Sequence, residues 1–232
     1  MRRAPLTAAD LLDRLHLEPL SAGEYWHVYS TAYGALASRP NSPYRLGLVT
    51  DHPPGLVSRP SFYLGWSPEA ALWETALRDV AAVHGAVTLQ AAWTHGRGLA
   101  RLKLNRDREV VPLDQPFRRN VIDPNTTKNV RWDRHLIRPT YKATHVAAGV
   151  IDAQFRADGK VLPGFRWYSK QIQGDLVAVM YEPAFDPNDW AIVEQFDLDS
   201  SKGRLAISDA LLRAKMYLVG SLSAVGGTPL TP

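Results

Sequence analysis

Ser61-Phe62-Tyr63-Leu64-Gly65-Trp66-Ser67-Pro68-Glu69-Ala70-Ala71-Leu72-Trp73-Glu74 changes character at its midpoint. The aromatic and aliphatic run from Ser61 to Trp66 reads as a β-strand. Ser67-Pro68-Glu69 then has the chemistry of a helix start. The serine accepts from a free backbone N–H, the proline takes the first helical position, and the acid sits near the positive end of the helix. The pattern predicts a helix to about His84, ended by Gly85. On it, Ala70, Ala71, Leu77 and Ala81 share a face with Glu74. An ionised carboxylate on an apolar face is costly unless it is paired or hydrated. Glu74 therefore faces a cleft, or it lies at the edge of the stripe and pairs with Arg78 one turn on.

Outward from this segment, towards the N-terminus, Thr7 is placed to cap a short helix carrying Leu11, Leu12 and Leu15. Tyr25-Trp26-His27-Val28-Tyr29 reads as a strand, Arg39-Pro40-Asn41-Ser42-Pro43 as turns, Arg45 to Val49 as a short strand and Asp51-His52-Pro53-Pro54-Gly55 as a loop. Towards the C-terminus, strands are expected at Val87–Trp93, Leu99–Leu104 and Glu109–Leu113. Asp114 to Arg138 lacks a clear period and reads as a long loop with some unrecognised structure. Pro139 and Thr140 open a second long helix, with Val146, Ala147, Val150, Ile151 and Phe155 inward and Asp158-Gly159 at its end. Strands follow at Gly164–Ser169, Leu176–Tyr181 and Ala191–Leu198. Ser208 is placed to cap a last helix through Val219, before a frayed tail at Gly226-Gly227-Thr228-Pro229. Strands and helices alternate too irregularly for a doubly wound sheet, so the fold class is α+β. No Pro-, Gly- or Ser-rich linker interrupts the interior, so residues 1–232 read as one domain.

The composition narrows the function classes. A chain of 232 residues with 45% apolar content can bury a sizeable core. The absence of cysteine excludes disulfides, a thiol nucleophile and thiolate metal sites. A net charge of +4 is scattered with no block of like charges, which argues against nucleic acid as a direct partner. No apolar run approaches the roughly 18–20 residues of a membrane span, so no membrane association is expected. Arg2 and Arg3 are followed by Asp10 and Asp13 without an apolar stretch, so no signal peptide is expected and a cytoplasmic location is. No metal site is expected: His145 has no partner at ligand spacing and reads as structural. Neither a Gly-rich dinucleotide turn nor a phosphate-loop motif is present.

Several segments together resemble one family. They are Tyr25-Trp26-His27-Val28-Tyr29; Tyr44-Arg45-Leu46-Gly47; Phe62-Tyr63-Leu64-Gly65 with Ser67 to Glu74; and Gly164-Phe165-Arg166-Trp167-Tyr168-Ser169 with Gly174-Asp175-Leu176-Val177-Ala178-Val179. In order and spacing the set is similar to the RES domain, whose members are toxins of RES–Xre toxin–antitoxin pairs. The likeness covers roughly residues 25–182, leaving an N-terminal helix and C-terminal strand and helix as extensions. It implies an ADP-ribosyltransferase-like fold and consumption of NAD+ by hydrolysis, phosphorolysis or ADP-ribosyl transfer. NAD+ would be the substrate, with no cofactor required. It also implies a helix-turn-helix antitoxin of the Xre type as partner; the choice between monomer and homodimer stays open. Glu74 would be the family glutamate, Ser169 the serine and Arg45 an arginine of the cleft, these three being catalytic. His27, Tyr63 and Arg166 would contact the substrate. The sequence departs from the family pattern at His27, where many members carry arginine.

These residue types suit the implied reaction. Breaking the nicotinamide–ribose bond builds positive charge on the ribose, which a fixed carboxylate stabilises. Arginine binds pyrophosphate in bidentate fashion, and a hydroxyl can orient ribose or carboxamide. A protonated His27 could still contact phosphate, in which case NAD+ affinity would rise as pH falls from about 8 to about 6. Each residue also has a purely structural alternative: Arg45 in a salt bridge, Ser169 as a turn cap, Tyr63 in the core, and His27 as a buried, hydrogen-bonded ring. A non-catalytic nucleotide-binding or interaction module is the corresponding alternative function, with a protein-directed mono-ADP-ribosyltransferase as the rival within enzymes.

Overall fold

The computed structural model describes residues 6–13, 15–40, 44–48, 58–137, 141–172 and 174–221. The Asp51–Gly55 loop, the Asn41–Pro43 part of the turn-rich stretch, the helix-opening pair Pro139-Thr140 and the Gly226–Pro229 tail lie outside these residues. In chain order the strands are β1 (Glu18–Leu20), β2 (Gly23–Ser30), β3 (Ser61–Gly65), β4 (Ala86–Leu89), β5 (Arg97–Leu104), β6 (Arg108–Pro112), β7 (Gly164–Tyr168), β8 (Leu176–Tyr181), β9 (Trp190–Asp197) and β10 (Tyr217–Ser221). The helices are α1 (Pro68–Glu74), α2 (Ala91–Thr94), α3 (Thr126–Ile137), α4 (Tyr141–Ala157) and α5 (Ser201–Arg213). This is the mixed α+β architecture expected from the sequence.

Eight strands form one sheet in the order β1-β6-β7-β8-β3-β2-β5-β9, and β10 pairs with β4 separately. Neighbours in the large sheet are antiparallel except β6 and β7. Alternation along each strand divides the core. Phe165, Trp167, Val177, Val179 and Tyr181 pack with Trp132 of α3 and Ile151 of α4 on one side. Phe62, Leu64, Ala178 and Met180 pack with Leu102, Phe185 and Trp190 on the other. A third cluster joins Leu72 and Trp73 of α1 to Ile207 and Leu211 of α5. There Trp73 Nε1 donates to the Ala210 carbonyl at 3.1 Å, and Arg213 lies 3.2 Å from Glu69.

Several expectations need correction. The helix after Ser67 is one of seven residues, not one running to His84. Ser67 does cap it, accepting from Ala70 N at 3.0 Å, but Thr75 leaves helical geometry (φ −129°, ψ −80°) and its hydroxyl donates back to the Ala71 carbonyl. Leu77 is still buried, although Ala81 is exposed, so the shared face stops with the helix. Residues 114–137 are less loop than expected: they hold a 3-10 turn at Phe117–Asn120 and all of α3. The last helix begins after Ser200, whose hydroxyl accepts from Gly203 N at 3.1 Å. Ser208 lies inside it, and the chain passes through left-handed Lys215 (φ 59°) into β10. Finally, residues 44–48 form a turn and not a strand, and the expected N-terminal helix is a single 3-10 turn at Ala8–Asp10.

The step from β3 into α1 is tight. A Cβ on Gly65 would stand 2.6 Å from Ala71 N and 3.0 Å from the Ser67 carbonyl oxygen, both backbone atoms that cannot rotate away. Gly65→Ala is expected to destabilise the fold by roughly 1–3 kcal/mol through overpacking, read as a lower denaturant midpoint; an unchanged midpoint would contradict this packing.

Candidate functional site

Sheet order places the end of α1 beside the β7–β8 connection. β3 feeds α1 and lies next to β8, which lies next to β7, so residues 169–172 and 174–175 lie beside the helix. They hold it at both ends. At its start, the Ser67 hydroxyl donates to the Asp175 carboxylate. At its end, Ser169 Oγ donates to Glu74 Oε1 at 2.8 Å and Lys170 N donates to the same oxygen at 3.1 Å. Ser169 is itself buried and fixed: its hydroxyl oxygen accepts from Gln171 N and Ile172 N, each at 3.2 Å, and its N–H donates to the Asp175 carbonyl at 2.7 Å.

Positive charge surrounds the carboxylate. Arg45 is buried and donates through Nη1 to the Leu136 carbonyl at 2.7 Å, while Lys170 Nζ reaches the same oxygen. Leu136 lies in the last turn of α3, where unpaired carbonyls and the helix dipole favour cations. Loss of solvent lowers the Arg45 pKa, with Glu74 opposing the shift. Lys170 is pushed down to about 8, first by loss of solvent and then by the Arg45 charge, again with Glu74 opposing. Arg78 is depressed by desolvation and by Arg45, and Glu74 again opposes.

The turn that presents Arg45 is pinned from two directions. Tyr63 Oη donates to the Arg45 carbonyl at 3.0 Å, and Tyr181 Oη donates to the Leu46 carbonyl. Leu46 is left-handed (φ 60°), and its N–H donates to Thr144 Oγ1 at 3.2 Å. A branched or bulky residue in that region is costly unless its surroundings over-determine it. The ring of Tyr63 meets Tyr44 edge-on at 5.7 Å.

A cleft of about 460 Å³ opens next to this junction. β2 and β3 pair at one position only, Trp26 opposite Gly65, and then separate. Residues 27–30 form one wall, Ser61 and Tyr63 another, and Thr75, the neighbour of Glu74, reaches the cleft as well. Arg39, Arg97 and His95 line it together with Tyr29, Tyr33, Tyr44 and Tyr63, and no carboxylate does among the described residues. Arg39 Nη1 donates to Tyr44 Oη at 3.0 Å, and its guanidinium lies 5.1 Å from that ring. Two arginines with aromatic faces suit an anionic ligand that carries rings.

Of the residues singled out from sequence, Glu74, Ser169, Arg45 and Tyr63 meet at this junction. His27 lines the cleft, but not as a cation. It is 7% exposed, its Nδ1 is 2.6 Å from the Tyr63 carbonyl, and its ring lies 4.2 Å from Phe62. Burial pushes it down to about 4 against that hydrogen bond, so the ring is neutral from pH 6 to 8 and the expected rise in affinity with acid is corrected. Arg166 is a second correction. Its guanidinium is held by both oxygens of buried Asp114, at 2.9 and 3.1 Å, and it does not line the cleft. His145 is structural as expected, with Nε2 2.9 Å from the Tyr44 carbonyl. Sequence reading missed Lys170, Leu136, Arg39 and Arg97. Only Lys170, adjacent to Ser169, carried any signal.

No family model matches the chain, and no curated protein is similar to it. Among solved structures, the chain is similar to one described as the crystal structure of the M. tuberculosis MbcT-MbcA toxin-antitoxin complex. The match has 15% identity and a TM-score of 0.48, covering 80% of this chain and 87% of that one, a similarity too distant to transfer an activity. Among the described residues, no helix is long and apolar enough to cross a membrane.

Burial of His27 couples folding to pH. Its pKa is near 4 folded and near 6.5 unfolded, so between those values the unfolded chain binds more protons. The stability His27 supports is complete above pH 6.5 and is lost as pH falls towards 4, by up to roughly 3 kcal/mol. In denaturant titrations across that window, His27→Gln should flatten the dependence; an equally steep variant would assign the slope to other groups.

Proposed function

We propose that the chain is an enzyme that consumes NAD+ by cleaving the nicotinamide–ribose bond, and that it acts as the toxin of a toxin–antitoxin pair. The observation that carries this reading is the hydrogen bond from Ser169 to Glu74, joining residues 95 positions apart that the family resemblance had singled out. It sits beside a cationic, tyrosine-lined cleft large enough for part of a dinucleotide.

The chemistry follows from the charges. As the bond between C1′ of the ribose and the nicotinamide nitrogen lengthens, its electron pair leaves with the nitrogen. Nicotinamide departs neutral, so no general acid is needed. Positive charge develops on the ribose, and a carboxylate fixed by Ser169 and Lys170 N is already oriented to oppose it. Water then adds to C1′ and loses a proton, giving ADP-ribose; phosphate in its place gives ADP-ribose 1″-phosphate. Arg45 and Lys170, both bound to the Leu136 carbonyl, add positive charge near Glu74, while Arg39 and Arg97 of the cleft wall would bind the pyrophosphate. A toxin of this kind would be silenced by a helix-turn-helix antitoxin of the Xre type.

Incubation of the purified protein with NAD+, followed by chromatography of the products, tests the reading. Free nicotinamide with ADP-ribose, or with its 1″-phosphate when phosphate is present, is expected. Glu74→Gln should keep the melting temperature and lose on the order of 100-fold in turnover, the cost of removing one transition-state electrostatic partner. A folded variant with near wild-type turnover, or intact NAD+ with the wild type, would overturn it.

A further inference from the structure

The imidazole of His27 has two nitrogens, and the fold commits one of them. Nδ1 lies 2.6 Å from the Tyr63 carbonyl oxygen, which can only accept, so Nδ1 carries the proton. In a neutral ring Nε2 is then a bare acceptor. The hydrogen bond to Tyr63 favours this orientation of the ring, which packs 4.2 Å from Phe62 and 6.3 Å from Tyr29. His27 is more than nine-tenths buried and yet lines the cleft. No hydrogen bond to Nε2 is found among the described residues. Nε2 is therefore an acceptor available to a donor that enters the cleft.

We infer that His27 Nε2 is a specificity element of the cleft that accepts a hydrogen bond from an uncharged donor of the ligand, a hydroxyl or amino group, and does not contact phosphate. The inference rests on the nucleotide reading above. It changes the role of the position from charge to hydrogen-bond polarity, since a lone pair repels the phosphate oxygens that an arginine there would attract. The charge complement is supplied elsewhere: among the described residues, Arg39 and Arg97 line the same cleft. Site chemistry is thereby divided, with arginines for the anion and a neutral histidine deeper in for the sugar or base.

Calorimetric binding of ADP-ribose and of inorganic pyrophosphate to the wild type, His27→Phe and His27→Gln tests this. His27→Phe keeps an aromatic ring against Phe62 and removes the acceptor. It should bind ADP-ribose about 5- to 10-fold more weakly, the size of one neutral hydrogen bond, and pyrophosphate as tightly as the wild type does. His27→Gln, which keeps an acceptor oxygen, should lose less. Should His27→Phe fail to fold, His27→Leu decides by the same comparison. Unchanged ADP-ribose affinity in a folded acceptor-less variant, or equal weakening of both probes, would overturn the inference. A wild type that binds ADP-ribose through His27 but leaves NAD+ intact would keep this inference and remove the NAD+-cleaving reading; NAD+ cleavage with ADP-ribose affinity indifferent to His27 would do the reverse.

Discussion

The connection between β7 and β8 grips α1 at both ends, and the arrangement of the site depends on that grip. Asp175 accepts from the capping serine at the helix start, and Ser169 with Lys170 N fixes Glu74 at its end. A seven-residue helix has little stability of its own, because the cost of its first turn is spread over few hydrogen bonds. What keeps it helical is packing against α5 and this pair of anchors. The same contacts that stabilise the helix therefore orient the carboxylate, so position and stability are supplied by one set of atoms.

Electrostatics extends the arrangement beyond α1. Arg45 and Lys170 both end on the Leu136 carbonyl, so the C-terminus of α3 holds two cations near one carboxylate. Tyrosine hydroxyls from β3 and β8 clamp the backbone of the Arg45 turn and sustain the left-handed Leu46. Meanwhile β2 and β3, paired only where Trp26 meets Gly65, open the space that the arginines and tyrosines line. Four elements distant in sequence thus converge on a volume smaller than any of them suggests alone.

Much of the sheet was legible because its strands alternate or run apolar between turn residues, as at β2, β3, β7 and β8. The helices were harder. α3 was hidden because its sequence is mostly polar, with Trp132 buried while Val130 is exposed, so no apolar period marks it. α1 was over-extended because Ala76 and Leu77 continue a helical pattern, and they do so only because both are buried after the helix has ended. β10 was read as helix since nothing in Lys215 announces a left-handed residue. At the site, the glutamate, serine, arginine and tyrosine were found through a family resemblance. The Leu136 carbonyl and the Lys170 N–H are backbone groups and carry no sequence signal. Arg39 and Arg97 become cleft residues only through the separation of two strands. The neutral state of His27 and the Asp114 pairing of Arg166 were not legible for one reason: burial and partner are tertiary facts.

The central claim is that Ser169 acts through Glu74 and that the two form one functional unit. A double-mutant cycle on the initial rate of nicotinamide release from NAD+, with Glu74→Ala, Ser169→Ala and the double variant, tests it directly. The account predicts that Ser169→Ala slows the wild type by about tenfold, roughly one hydrogen bond to a charged group, and leaves the Glu74→Ala background unchanged. Equal slowing in both backgrounds would show two independent residues and contradict it.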